Sequence, residues 1–248
     1  MNKLPSIKTT IIYDNNLAVP GLQNGFGFSC LLEYDNKKII FDTGGNRLAF
    51  FNNLQKLNIL LDTITHIIFS HQHWDHTAGF EEVISRINND CKIYVPFKFD
   101  YNLLSKISKE KKLNLIKDIT PIDDNLFLIT LKGSSCVIKE CFSVYEQSLV
   151  INRDSGSIVL TGCGHPGIKN ILRTVQRKLV SNIDWVIGGF HLHRSFTRTI
   201  EDVVNEFNLL GVKNVAPCHC TGQKAVSIFK NKFINKIHEI GTGSIIYI

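Results

Sequence analysis

Six residues, His71-Gln72-His73-Trp74-Asp75-His76, follow directly on the apolar run at 64–69 and precede Phe80, Val83, Ile84 and Ile87, which recur at i, i+3, i+4 and i+7. A strand therefore has to deliver these polar side chains to a turn, and an amphipathic helix has to carry the chain away. That restricts the fold to layered α/β types. His71 and His73 are two apart on an extended turn, so both rings can address one position, while Asp75 and His76 enter the first helical turn and can address a second. Imidazole and carboxylate at this density suit zinc or another first-row cation, the alternative being a set of solvated loop histidines.

The strand-into-turn arrangement returns three times. Ile158-Val159-Leu160 runs into Thr161-Gly162-Cys163-Gly164-His165, Trp185-Val186-Ile187 into Gly188-Gly189-Phe190-His191, and Val215-Ala216 into Pro217-Cys218-His219. Ligands of open α/β sheets gather where strand ends meet loops. A strand at 39–41 ends at Asp42, and Leu48, Phe51, Leu54 and Leu57 predict the buried face of the next helix; further helices are predicted around Ile168, Ile171, Leu172, Val175 and around Ile200, Val203, Val204, Phe207. Between 126 and 160 the pattern changes to a β-meander, with strands at 127–131, 137–144, 149–151 and 158–160 and turns at Lys132-Gly133-Ser134-Ser135 and Asn152-Arg153-Asp154-Ser155-Gly156. Without a Pro-, Gly- or Ser-rich linker, residues 1–248 read as a single domain.

Composition narrows the class of function. At 44% hydrophobic and 20% charged, the chain has the makeup of a globular protein. No apolar run approaches the ~20 residues of a membrane helix, and Asp14, Asn15 and Asn16 interrupt the first apolar stretch before it could serve as a signal-peptide core. A cytoplasmic location is expected. Seven cysteines, an odd number scattered along the chain, argue against a disulfide framework. The net charge of +6 is Lys-rich, much of it between 98 and 117. Lys98, Lys106, Lys109, Lys111 and Lys112 predict a solvated helix rather than an anion-steering one, in a stretch (91–124) whose position suggests that it overhangs the ligand-bearing edge. Neither a nucleic-acid nor a membrane partner is expected, and the oligomeric state is not legible.

The His71–His76 motif at a strand end resembles that of the metallo-β-lactamase-fold superfamily. Phe41-Asp42-Thr43-Gly44 is similar to the family's early strand-turn aspartate, and Gly79-Phe80 stands where its short small-residue helix start is expected. Thr161-Gly162-Cys163-Gly164-His165-Pro166-Gly167-Ile168, Gly188-Gly189-Phe190-His191-Leu192 and Pro217-Cys218-His219-Cys220-Thr221-Gly222 resemble the subgroup that includes the 7,8-dihydropterin-6-yl-methyl-4-(β-D-ribofuranosyl)aminobenzene 5'-phosphate synthases. The resemblance runs from about residue 25 to the end. It implies an αββα sandwich, two mixed β-sheets flanked by helices, and a mono- or dinuclear centre for divalent metals, zinc first, with iron or manganese as alternatives.

This chain departs from the commoner superfamily pattern, because residues 77–164 contain no His. The third imidazole of the first metal then falls to His165, His191 or His193, and His165, directly after a buried strand, fits best. The resemblance thus implies His71, His73 and His165 at one metal and Asp75, His76 and His219 at the other. Cys163 stands where a metal-bridging Asp is usual; it is either a thiolate ligand or a small buried residue in a Gly-flanked turn. His191 is assigned to substrate or outer contacts, one of His191 and His193 facing the site and the other not. Asp42 reads as an anchor for a ligand imidazole, and His66 and His238 as structural. Trp74 and Phe190 are either stacking platforms or core.

The expected function is a metal-dependent hydrolase of a small-molecule ester, lactone or phosphoester, with Asp75 also orienting water or accepting its proton. The alternatives are a dihydropterin-type transferase that displaces pyrophosphate and a catalytically silent metal-binding relative.

Overall fold

A computed structural model describes residues 7–107, 111–137 and 140–248. By its contacts the chain divides into two compact units, one of residues 1–115 and 240–248, the other of residues 116–239.

The first unit is built on β1 (Lys8–Tyr13), β2 (Ser29–Tyr34), β3 (Lys37–Phe41), β4 (His66–Ile68), β5 (Lys92–Pro96) and β6 (Lys112–Ile116), in that spatial order, with a returning strand Ile245–Tyr247 paired antiparallel outside β1. β1 to β3 pair antiparallel and β3 to β5 parallel, so the sheet is mixed. Helices α1 (Arg47–Lys56) and α3 (Phe80–Arg86) lay Phe50, Leu54, Phe80, Val83 and Ile84 on Ile12, Leu31, Ile40 and Ile67. Asn46 caps α1 by accepting from Ala49 N at 3.0 Å. Between these helices lies α2 (Trp74–Thr77), a single turn, and after β5 comes another, α4 (Tyr101–Leu104).

The second unit holds β7 (Ile119–Asp123), β8 (Leu126–Val137), β9 (Glu140–Ile151), β10 (Ser157–Thr161), β11 (Ile183–Gly189), β12 (Asn214–Cys218) and β13 (Lys236–Ile237), again in spatial order, leaving Ile245–Tyr247 as β14. β7 to β10 are antiparallel neighbours and β10 to β13 parallel ones. Helices α5 (Ile168–Leu179), α6 (Thr197–Leu209) and α7 (Gln223–Lys232) pack Leu172, Val175, Val204, Phe207 and Phe229 on Val159, Val186 and Val215. The architecture is two mixed β-sheets flanked by helices, of the α/β class.

Four local expectations are corrected. On α1 the buried face is Ala49, Phe50, Asn53 and Leu54, whereas Leu48 is 66% exposed. The reason is Asn53, a polar residue turned inward, whose side chain donates to Ile12 O (2.8 Å) and Gln23 O (2.6 Å) and accepts from Gln23 N (2.8 Å). Lys132-Gly133-Ser134-Ser135 is not a turn: it continues β8, paired along β9 from Leu126↔Ile151 to Val137↔Glu140. The Lys-rich stretch is not a helix, because apart from the single turn α4 it supplies strands β5, β6 and β7. Its lysines are tied locally, Lys106 to Glu81, Lys112 to Asp90 (2.6 Å) and Lys111 Nζ to Ile87 O (2.5 Å); Lys109 lies outside the described residues. Finally, Cys141 in β9 is disulfide-bonded, while Cys30, Cys91, Cys163, Cys218 and Cys220 are free. Among the described residues no helix is long and apolar enough to cross a membrane.

Candidate metal centre

In the first unit the strand ends of β3 and β4 set the donors. β3 stops at Phe41, and Asp42 takes a left-handed conformation (φ 58°) that turns its carboxylate under the end of β4. There it accepts from Ser70 N (2.6 Å) and Ser70 Oγ (2.6 Å), and Oδ2 lies 2.7 Å from His76 Nδ1. Burial raises the Asp42 pKa, and the bonds from His76 and Ser70 pull it back only in part. With Nδ1 of His76 held by a carboxylate, Nε2 is left to face a ligand, the arrangement by which second partners orient metal-binding imidazoles. Ser70 Oγ also lies 2.9 Å from His71 Nδ1, so the hydroxyl joins the His71 ring to Asp42 and, through that carboxylate, to His76. His71 Nε2 is 3.0 Å from His73 Nδ1, and His76 Nε2 is 3.6 Å from Asp75 Oδ2. Two donors on one tetrahedral zinc stand roughly 3.3 Å apart at Zn–N bond lengths of about 2.0–2.1 Å, so both pairs have the spacing of shared ligands. Among these residues His71, Asp75 and His76 are buried and His73 is half-buried. Trp74, 63% exposed, stacks on Phe26 (ring centroids 6.0 Å apart, planes at 28°), whereas Phe190 is core, packed on Phe207 and Phe229.

In the second unit the turn after β10 is wrapped around one carboxylate. Glu146 on β9 is buried and accepts from Thr161 Oγ1 (3.1 Å), Cys163 N (2.8 Å), Gly164 N (2.8 Å) and His165 N (2.7 Å). Three successive N–H groups around an anion form a backbone nest, closed here by Gly164 at φ 76°. The opposite side of the turn presses on β8, where a Cβ on Gly133 would meet His165 C at 2.4 Å and Pro166 N at 2.6 Å. That is the role of a glycine in mid-strand, and His165 Nδ1 lies 3.2 Å from Ser134 O. Cys163 Sγ is 3.4 Å from His219 Nε2. Burial lowers the His165 pKa, which favours the neutral ring that ligates metals. His191 follows the end of β11 in a left-handed conformation (φ 54°), its ring 4.5 Å from that of His165. The strand has already stopped at Gly189, so His191 and His193 do not sit on an extended segment; both are exposed around a buried Leu192, and of the two His191 is the one whose ring lies beside His165.

His66 stacks on Tyr94 with Thr65 Oγ1 2.8 Å from its Nδ1, and His238 stacks on Trp185 with Asn214 Oδ1 3.2 Å from its Nε2. Sequence reasoning missed Ser70 and Glu146, and set Cys220 aside because Cys218-His219-Cys220, though it suggests a separate zinc site, has no Cys-x-x-Cys partner elsewhere in the chain. Cys220 is buried, its thiol donates to Cys163 O at 3.3 Å, and despite burial its pKa is lowered well below the ordinary thiol value by Cys163, His219 and His191. The alternation Cys218-His219-Cys220 was the one available signal.

The description of the metallo-β-lactamase superfamily matches residues 22–163, more than half the chain and across both units. The chain belongs to this superfamily. A 7,8-dihydropterin-6-methyl-4-(β-D-ribofuranosyl)-aminobenzene-5'-phosphate synthase of Methanocaldococcus jannaschii is 27% identical over 89% of this chain and 89% of its own. Among solved structures, Tm1679, a metal-dependent hydrolase of the β-lactamase superfamily, is 30% identical, with a TM-score of 0.81 over 98% of this chain and 99% of that one. The isothiocyanate hydrolase from Delia radicum gut bacteria, at 14% identity and a TM-score of 0.62, shares the fold alone.

Proposed function

We propose that the protein is a metal-dependent hydrolase acting on a small-molecule ester, lactone or phosphoester. His71, His73 and His165 would hold one cation, and Asp75, His76 and His219, with Cys163, the other. The observation that carries this reading is the spacing of the donors within each unit: 3.0 Å for His71 and His73, 3.6 Å for Asp75 and His76, 3.4 Å for Cys163 and His219. Imidazole, carboxylate and thiolate are the donors that zinc takes, and imidazole nitrogen at both positions, with the Asp75 oxygen at one, also admits iron or manganese. When bound, the cations supply Lewis acidity toward a carbonyl or phosphoryl oxygen and acidify a water molecule. The chain's own residues do the rest. Asp75 orients that water or takes its proton, Asp42 and Ser70 fix the rings of His76 and His71, and Glu146 fixes the backbone that carries Cys163 and His165.

A second reading is favoured by the exposed Phe26–Trp74 pair, a flat apolar platform immediately beside His73. It fits an aromatic substrate ring, as a transferase related to the dihydropterin synthase would need. One assay separates the two. Purified protein loaded with zinc, iron or manganese is offered lactone and phosphoester panels alone, or an aromatic nucleophile with an alkyl pyrophosphate. The hydrolase reading expects turnover of one organic substrate with water, lost in His73→Ala with metal content reduced and fold retained. Turnover only with two organic substrates would replace it by the transferase.

A further inference from the structure

The parallel strands β10, β11 and β12 are neighbours in register, Thr161 beside Gly188 and Gly189 beside Cys218, so their turns leave one edge of the sheet side by side. In each turn the second residue past the strand end is a metal-binding type: Cys163 after Thr161, His191 after Gly189, Cys220 after Cys218. Their donor atoms all lie within 4.8 Å of one another. The backbone is shaped to permit this. A Cβ on Gly189 would come 2.6 Å from Cys220 Sγ and 3.3 Å from Cys163 Cα, so glycine is what lets the Cys220 sulfur and the Cys163 backbone close over β11. His191 is held at φ 54°, a conformation disfavoured for a residue with a Cβ. The two cysteines are 3% and 2% exposed, whereas His191 is open to solvent.

We propose that Cys163, His191 and Cys220 form a binding site for one thiophilic divalent cation of the zinc and cobalt class. Two thiolates and an imidazole make a soft set, with a fourth position left open on the solvent side of His191. The site lies wholly in residues 116–239 and stands whether or not the two-cation centre forms. It competes with that centre for Cys163 alone. A cation here would withdraw Cys163 from His219, so thiophilic and oxygen-preferring ions should load the protein differently.

The test is titration of the full-length, reduced, metal-free protein with Co²⁺, followed by thiolate-to-cobalt charge-transfer absorbance. The intensity expected is that of two thiolates per chain. Cys220→Ser should lower it by about half, and His191→Ala should weaken cobalt binding by roughly tenfold or more, at least the loss seen for an outer partner of a ligand. Cys218→Ser, a buried neighbour in the same turn, and Asp75→Asn should leave the two-thiolate band in place. If Cys220→Ser does not fold, His191→Ala, at an exposed position, carries the test. Wild-type absorbance and affinity in the folded Cys220→Ser protein, or in His191→Ala, would overturn the site while leaving Cys163 available to the centre proposed above. Failure of the hydrolase assay with the two-thiolate band intact would do the reverse.

Discussion

Glu146→Gln keeps the length of the side chain and removes its charge, and the effect can be worked out bond by bond. Oε1 accepts three donors, Thr161 Oγ1, Cys163 N and Gly164 N, and Oε2 accepts His165 N. A glutamine can place its carbonyl against the three, but its amide NH₂ then faces the His165 N–H, donor against donor. A hydrogen bond to a charged group contributes about 1.5–3 kcal/mol and a neutral one about 1 kcal/mol, so one lost and three weakened bonds sum to roughly 3–9 kcal/mol. The smaller cost of burying an amide than a carboxylate offsets part of this, leaving about 2–4 kcal/mol. Urea unfolding followed by circular dichroism should show a lower midpoint by that amount. Metal content should fall as well, since Cys163 and His165 ride on the released N–H groups. A folded Glu146→Gln protein within about 0.5 kcal/mol of the wild type, the range of an ordinary surface substitution, and with unchanged metal content would refute the reasoning.

Gly133→Ala puts a Cβ into the backbone of His165 and Pro166 and should cost roughly 1–3 kcal/mol, read as a lower urea midpoint together with weaker metal binding. Cys91 gives a pH dependence. Burial pushes its thiol from an ordinary value of 9.0 up to about 12, the Lys111 ammonium opposing. The folded state therefore keeps a proton that the unfolded chain loses, so this contribution is complete below pH 9 and declines as the pH rises toward 12. Between pH 9 and 10 the loss should be about 1 kcal/mol, and Cys91→Ala should abolish that slope in urea titrations run at the two pH values.

What could be read along the chain was whatever is local. His71, His73, Asp75 and His76 announce themselves because the strand, the turn and the helix start lie within twenty residues, and the turn at Cys163 and His165 does so for the same reason. Glu146 does not, since in Glu146-Gln147-Ser148 it looks like the polar face of a strand and its donors lie fifteen to nineteen residues away. Asn53 misleads in the same manner, its partners being Ile12 and Gln23. Gly133 reads as a turn residue because glycine between Lys and Ser has that meaning in isolation; the segment that requires it, His165-Pro166, arrives only with the fold.

The pairing of Lys8, Thr9 and Thr10 with Tyr247, Ile246 and Ile245 also sets a schedule for synthesis. At about 5–20 residues per second, the ribosome needs on the order of 10–50 s to reach the partner of a strand it made at the outset. During that interval the outer edge of β1 has open amide and carbonyl groups, the template on which strands of other chains can add. A nascent chain stalled anywhere between residues 116 and 239 therefore presents that open edge to its surroundings, and the few residues of β14 close it.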